Sequence, residues 1–257
     1  MSKFKPHSID VFAGQRVREL RLMKGWTEKQ LAKKIGVTFQ QLQKYESAAN
    51  RISASRLYLI CKALNITISE FFSELYSRRR KQSKTMKMIE SIDAVRLARL
   101  FFKMSPRQRQ RFYKNGKSLV RKKRNKKGDA TVTDKPATTS KTHPVDIYVG
   151  KQIWKFRIIT NMNQRELAEK IVVGTQQIQK YEEGQTRVSV SRLHLICEAF
   201  EITIPEFFAD FYRKQKRKGV MEMIETEDGA KLAGIFFKIP VKNCGHFIRL
   251  GKSIVEG

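Results

Sequence analysis

Apolar residues in this chain recur every three or four positions, and the polar stretches between them carry helix-start signals rather than strand alternation. Val11, Val17, Leu20 and Met23 share one side of a first predicted helix around 11–24. Thr27-x-x-Gln30 has the form of a capping box and opens a second, with Leu31, Ala32 and Ile35 on one face. Gly36 ends that helix, Thr38-x-x-Gln41 opens a third, and Ser53 starts a fourth with Leu57, Ile60, Cys61 and Leu64 inward. Thr67-x-x-Glu70 caps a short fifth. After a basic connector, "SRRRKQSKTMK" at 77–87, one helix is expected over 88–104, and Ser105-Pro106 opens another with Ser as cap and Pro in the first turn. On the 88–104 helix Ile89, Ile92, Leu97 and Leu100 fall on one side, and Val95, Phe101 and Phe102 fall elsewhere. A helix apolar on more than one side is expected to be covered twice, by its own unit and by something else.

The whole series then repeats. Residues 10–76 overlay 146–212 without a gap, and 30 of the 67 positions are identical. At an offset of 135, "LARLFFKM" (97–104) meets "LAGIFFKI" (232–239) and "GKSLV" (116–120) meets "GKSIV" (251–255). The second copy keeps the start signals as Asn163-x-x-Glu166 and Thr203-x-x-Glu206, with Pro205 in the first turn. Residues 121–145 have no counterpart; rich in Lys, Thr, Gly and Pro, they read as a flexible basic linker. The expected fold class is all-α. The expected organisation is a unit at 1–76, a helical extension at 77–120, the linker at 121–145, a second unit at 146–212 and a second extension at 213–257.

Charge narrows the partners. The net charge is +29, with +24 on residues 1–140 and +5 on 141–257. So strong a positive balance implies a polyanion, nucleic acid first and an acidic membrane second. No apolar run approaches the ~20 residues of a membrane helix. "MSKFKPHSID" lacks the apolar stretch of a signal peptide, so a cytoplasmic protein without a membrane partner is expected. Cys61, Cys197 and Cys244 form no Cys-x-x-Cys pair and read as reduced thiols; Cys61 and Cys197 occupy equivalent core positions. His7, His143, His194 and His246 are scattered, and no nucleophile constellation or phosphate loop occurs. No enzyme activity, metal or cofactor is therefore expected.

Two short helices joined by a glycine-containing turn make a helix-turn-helix. On the second of them, "TFQQLQKYE", Leu42 and Tyr45 point inward and Phe39, Gln40, Gln43 and Lys44 outward. In a DNA major groove glutamine can pair with adenine N6 and N7, lysine with guanine O6 and N7, and an apolar side chain with the thymine methyl. The first amides of such a helix can also bind a phosphate. The second copy keeps Gln176, Gln179 and Lys180 and puts Thr175 where Phe39 stands, so the bases read there are expected to differ.

"TEKQLAKKIGVTFQQLQKYE" with "ANRISASRLYLICKALNI", and again "NQRELAEKIVVGTQQIQKYEEGQTRVSVSRLHLICEAFEI", resemble the lambda-repressor-like (Cro/CI, XRE-type) helix-turn-helix family of bacterial and phage transcription regulators. The resemblance covers about 67 residues of each copy and implies five short helices per unit and binding to double-stranded operator DNA as a dimer. By it, Phe39, Gln40, Gln43 and Lys44, with the helix cap Thr38, sit at the base-facing helix, as do Thr175, Gln176, Gln179 and Lys180. Glu28 and Gln164 match a position that often carries a DNA-contacting glutamine, which only Gln164 keeps. Asn50, Arg51 and Arg187 match the loop that touches phosphate. Two positions depart from the pattern. Val172 replaces the turn glycine, Gly36, at a cost of ~1–2 kcal/mol unless Gly174 takes over the left-handed conformation, and Ala48 stands where the second copy has Gly184.

The expected function is a sequence-specific transcription regulator with two recognition helices per chain. Similar family members dimerise through C-terminal helices, so the extensions are expected to pair. A 25-residue linker spans ~25–30 Å, which permits an intrachain pseudo-dimer on half-sites ~34 Å apart; a homodimer of chains with four reading heads stays open. The alternatives are an antitoxin-like or adaptor module that holds a protein through its Phe-rich extensions, and an architectural binder living on charge alone. The run "RKKRNKK" at 121–127 reads either as a minor-groove arm or as a solvated linker.

Overall fold

The computed structural model describes residues 6–77, 83–117, 119–120, 143–212 and 219–256, without the side chains of residues 92, 241 and 242. Most of the predicted linker, the run at 121–127 and part of the 77–87 connector lie outside the described residues, as does the place of Ile92 on its helix.

The first unit comprises α1 (Ser8–Met23), α2 (Glu28–Ile35), α3 (Phe39–Glu46), α4 (Ala54–Leu64) and α5 (Ile68–Phe71), followed by a single turn, α6 (Ser73–Tyr76). The predicted caps close these helices. Thr27, Thr38, Ser53 and Thr67 each accept a bond from the third backbone N–H of the helix they open. Leu31, Leu42, Leu57, Ile60, Cys61 and Leu64 are fully buried. On α1 the core face is instead Ile9, Ala13 and Val17, and Met23 is 79% exposed at the helix end rather than inward. The first extension holds α7 (Lys84–Ile89), α8 (Ile92–Lys103) and α9 (Pro106–Lys117). The single helix expected over 88–104 is broken at Glu90, because the Ser91 hydroxyl accepts from the Ala94 N–H and starts a new helix there.

The second copy repeats this order as α10 (Pro144–Ile159), α11 (Gln164–Lys170), α12 (Thr175–Glu182), α13 (Val190–Ala199) and α14 (Ile204–Phe207), then α15 (Val220–Met223), α16 (Glu227–Phe236) and α17 (Val241–Glu256). Among the described residues no strand forms. A lone antiparallel bridge joins Ser53 to Ser189, and its bonds are related by exchange of the copies: Ala54 N–H to Val188 O and Val190 N–H to Ile52 O, each 2.8 Å.

The same exchange relates the helix contacts. α1 packs on α13 as α10 packs on α4, α5 on α14, and α8 on α17 as α9 on α16. Where the extensions meet, Phe112 stacks on its equivalent Phe247 at 4.4 Å between centroids. Each ring lies over the other copy's glycine: a Cβ on Gly116 would stand 2.3 Å from Phe247, and one on Gly251 2.8 Å from Phe112. The second cover expected for the extension helix is thus the other copy's extension, whereas the contact expected between the first extension and its own unit is replaced by contacts with the second unit. The paired extensions rest on the second unit. The Thr85 hydroxyl donates to Phe200 O (2.7 Å), the Ser83 N–H to Glu206 (2.9 Å), and Lys155 pairs with Glu225 (2.9 Å). Trp154 and Ile158 are buried there, whereas the equivalent Arg18 and Leu22 are exposed.

Candidate nucleic-acid interface

The outer face of α3 follows from what holds its inner face. Leu42 is fully buried, and Glu46 receives a two-pronged bond from Arg21 of α1 (Nε 2.7 Å, NH2 2.8 Å) while Arg21 NH1 donates to Trp26 O at 2.9 Å. The hydrogen bonds to Glu46 raise the Arg21 pKa against the opposing effect of burial. The second copy repeats the clamp between Arg157 and Glu182 at 2.6 and 2.9 Å. With helix three fixed to helix one on its buried side, Phe39, Gln40, Gln43 and Lys44 face solvent, as do Thr175, Gln176, Gln179 and Lys180. Thr38 is exposed and caps α3 through the Gln41 N–H (3.2 Å). Gly174 at the equivalent position gives α12 no side-chain cap.

The turns differ. Gly36 closes α2 in the left-handed region at φ 65°. In the second copy Val172 itself takes φ 54°, and Gly174 stays extended at φ −73°, so Gly174 does not take over the left-handed conformation and the strain stays on Val172. Beyond Val172 the Val173 N–H bonds Ala168 O (3.0 Å), and Gly174 then opens α12. Ala48 likewise sits at φ 57° where Gly184 has φ 70°.

The remaining predicted residues are tied into these frames. Gln43 donates to Glu28 at 2.7 Å, whereas Gln179 donates to Glu183 at 2.9 Å. Gln164 is half-buried and donates to Glu182 at 2.8 Å, so its amide supports the clamp. Asn50 lies 3.4 Å from Gln41 across the loop after α3. Arg51 and Arg187 are exposed but approach the buried carboxylates of Asp10 (3.7 Å) and Asp146 (3.8 Å). Burial raises the Asp146 pKa, opposed by a bond from Ser55 of the other unit and by the charge of Arg187. The aspartates and the Arg–Glu clamps were missed as parts of the site; identity of Asp10, Arg21, Glu46 and Arg51 in both copies was the signal that could have found them. Burial pushes the thiols of Cys61 and Cys197 well up, which keeps both unreactive.

Two helices joined by a tight turn, the second anchored inward and polar outward, define a helix-turn-helix DNA-binding protein. The Helix-turn-helix family model matches residues 17–71 and 155–207. The chain is 33% identical over 130 residues to an HTH-type transcriptional regulator of Sinorhizobium medicae (strain WSM419), covering 46% of this chain and 94% of that protein. It is 55% identical over 69 residues to an "uncharacterized transcriptional regulator in ATPase CF(0) region" of Rhodospirillum rubrum, 27% of this chain and 64% of that one. A third relative, an HTH-type regulator of Rickettsia prowazekii (strain Madrid E), is 53% identical over 74 residues, 29% of this chain and 57% of its own length. No solved structure matches. The chain belongs to the lambda-repressor-like, XRE-type helix-turn-helix family and is a DNA-binding transcription regulator. Among the described residues no helix is long and apolar enough to cross a membrane.

Proposed function

We propose that the chain reads one operator sequence-specifically through two recognition helices, α3 and α12, paired within a single chain. The observation that carries this is the exchange-related packing of the two copies, from the Ser53–Ser189 bridge to the Phe112–Phe247 stack, beneath two outward faces of the same chemistry. The relative from Sinorhizobium medicae adds support, since nearly all of it aligns with less than half of this chain, the proportion expected of a duplicated dimer. On this reading residues 1–76 and 146–212 are the DNA-binding domains, and 77–120 and 213–257 are the extensions that pair them. Phe39, Gln40, Gln43 and Lys44 face bases in one half-site, and Thr175, Gln176, Gln179 and Lys180 in the other. Thr38, Asn50, Arg51 and Arg187 lie towards phosphates, and Gln164 acts through Glu182.

The test is selection from random duplexes with the full-length chain, followed by binding across salt concentrations. A defined site bound ~10³-fold or more tighter than random DNA supports the reading. Flat affinity across sequences points to a coating protein instead. A stoichiometric protein partner that survives high salt, with no site enriched, points to an adaptor.

A further inference from the structure

We infer that the operator is asymmetric and that the chain sits on it in one orientation, with Phe39 setting the distinction. This rests on the proposed two-helix reading. A homodimer of identical units must present the same residue to both half-sites. Here the two reading heads belong to one chain, so each has diverged by itself and the difference is permanent.

Three observations carry it. First, α3 and α12 agree at Gln40 and Gln176 but differ one residue earlier. Phe39 is 38% exposed on an otherwise polar face, with Lys29 Nζ 5.9 Å from its ring centroid. Thr175, equally outward, offers a hydroxyl. An aromatic ring has no hydrogen bond to give a base edge, so its favourable major-groove contact is the thymine methyl, while threonine pairs a single small methyl with a hydroxyl that can bond several bases. Second, the shared glutamine is held differently. Gln43 is drawn towards α2 by Glu28, and Gln179 along its own helix by Glu183. The replacement of Glu28 by Gln164 removes the first arrangement from the second copy. Third, residues 27–52 hold five basic and two acidic side chains, whereas 163–188 hold four of each. The first head therefore attracts phosphate more strongly and its half-site contributes more of the salt dependence.

Selection with the full-length chain is expected to return half-sites that agree where Gln40 and Gln176 read and differ where residues 39 and 175 read, with thymine in the first. On that site, replacing this thymine by deoxyuridine deletes one methyl. Affinity should fall about four-fold in the first half-site, the value of one buried methyl, and by a smaller factor for a thymine placed at the equivalent position of the second. Phe39→Thr should make the two selected half-sites agree at this position and lower the deoxyuridine effect in the first to that in the second; Thr175→Phe should raise the effect in the second half-site to that in the first. A perfect palindrome selected by the unaltered chain, or equal deoxyuridine effects in both half-sites, overturns the inference and leaves the two-helix reading standing. No enrichment of any sequence overturns both.

Discussion

Replacing Phe112 by Ala removes half of the aromatic contact that joins the extensions. The ring is fully buried between Phe247, at 4.4 Å, and Gly251. Burial of about 200 Å² at ~25 cal/mol per Å² gives an upper figure of about 5 kcal/mol, and measured Phe→Ala costs of about 3–5 kcal/mol fall in the same range. With a urea slope near ~2 kcal/mol per M, the unfolding midpoint should drop by about 2 M. That loss alone would follow from any core phenylalanine. The pairing is tested by a double-mutant cycle. Phe112→Ala and Phe247→Ala should couple by at least ~0.5–1.5 kcal/mol, the share belonging to the stacked pair. Phe71→Ala, in the core of the first unit, should add to Phe247→Ala within about 0.5 kcal/mol. A cycle that closes to zero for 112 and 247 would refute the reasoning.

Four further outcomes are expected. Arg21→Met strands the buried Glu46 carboxylate and should cost about 3–5 kcal/mol by denaturant unfolding, while adding Glu46→Leu should recover most of it. Val172→Gly relieves a left-handed, 85% exposed valine and should stabilise the chain by about 1 kcal/mol; a loss of stability would show that the turn is unstrained. Burial raises the Asp146 pKa above 3.8, so the penalty of its charge is in place above the raised value and disappears as pH falls towards 3.8. The stability of Asp146→Asn relative to the unaltered protein, from unfolding at several pH values, should accordingly be greatest near neutrality and decline on acidification. Arg51→Ala should weaken all DNA sequences alike and lower the salt slope by about one, whereas Lys44→Ala should relax base preference; identical behaviour would merge the two roles.

The helices, their caps and the repeat were legible in the sequence because each rests on local chemistry. Thr27, Thr38, Ser53 and Thr67 bond amides three residues on, and Leu42 had to turn inward at its spacing. What was not legible depends on the partner surface. Met23 has the spacing of a core residue but lies at the open end of α1, while Trp154 and Ile158 on the equivalent helix are covered by the other elements that fold onto it. The break at Ser91 was a local signal outweighed by the apolar run around it. Val172 shows the reverse case: the turn between α11 and α12 holds a left-handed backbone at a residue whose own preference opposes it. For the reading face, side-chain type was visible in sequence, but the direction of each amide was not. Gln43 and Gln179 share the flanking Gln-Lys-Tyr-Glu run and are drawn to different carboxylates, because Gln164 replaces Glu28 and Glu183 replaces Ser47 in the second copy.

The central claim is that one chain places two recognition helices in successive major grooves of one operator. Guanine N7 methylation interference on the selected site, with one full-length chain per duplex verified by native mass spectrometry, tests it most directly. The account predicts two clusters of interference about one helical turn apart on the same face of the DNA, both present at one chain per duplex. A single cluster per chain, with the second arising only when a second chain loads, would contradict it.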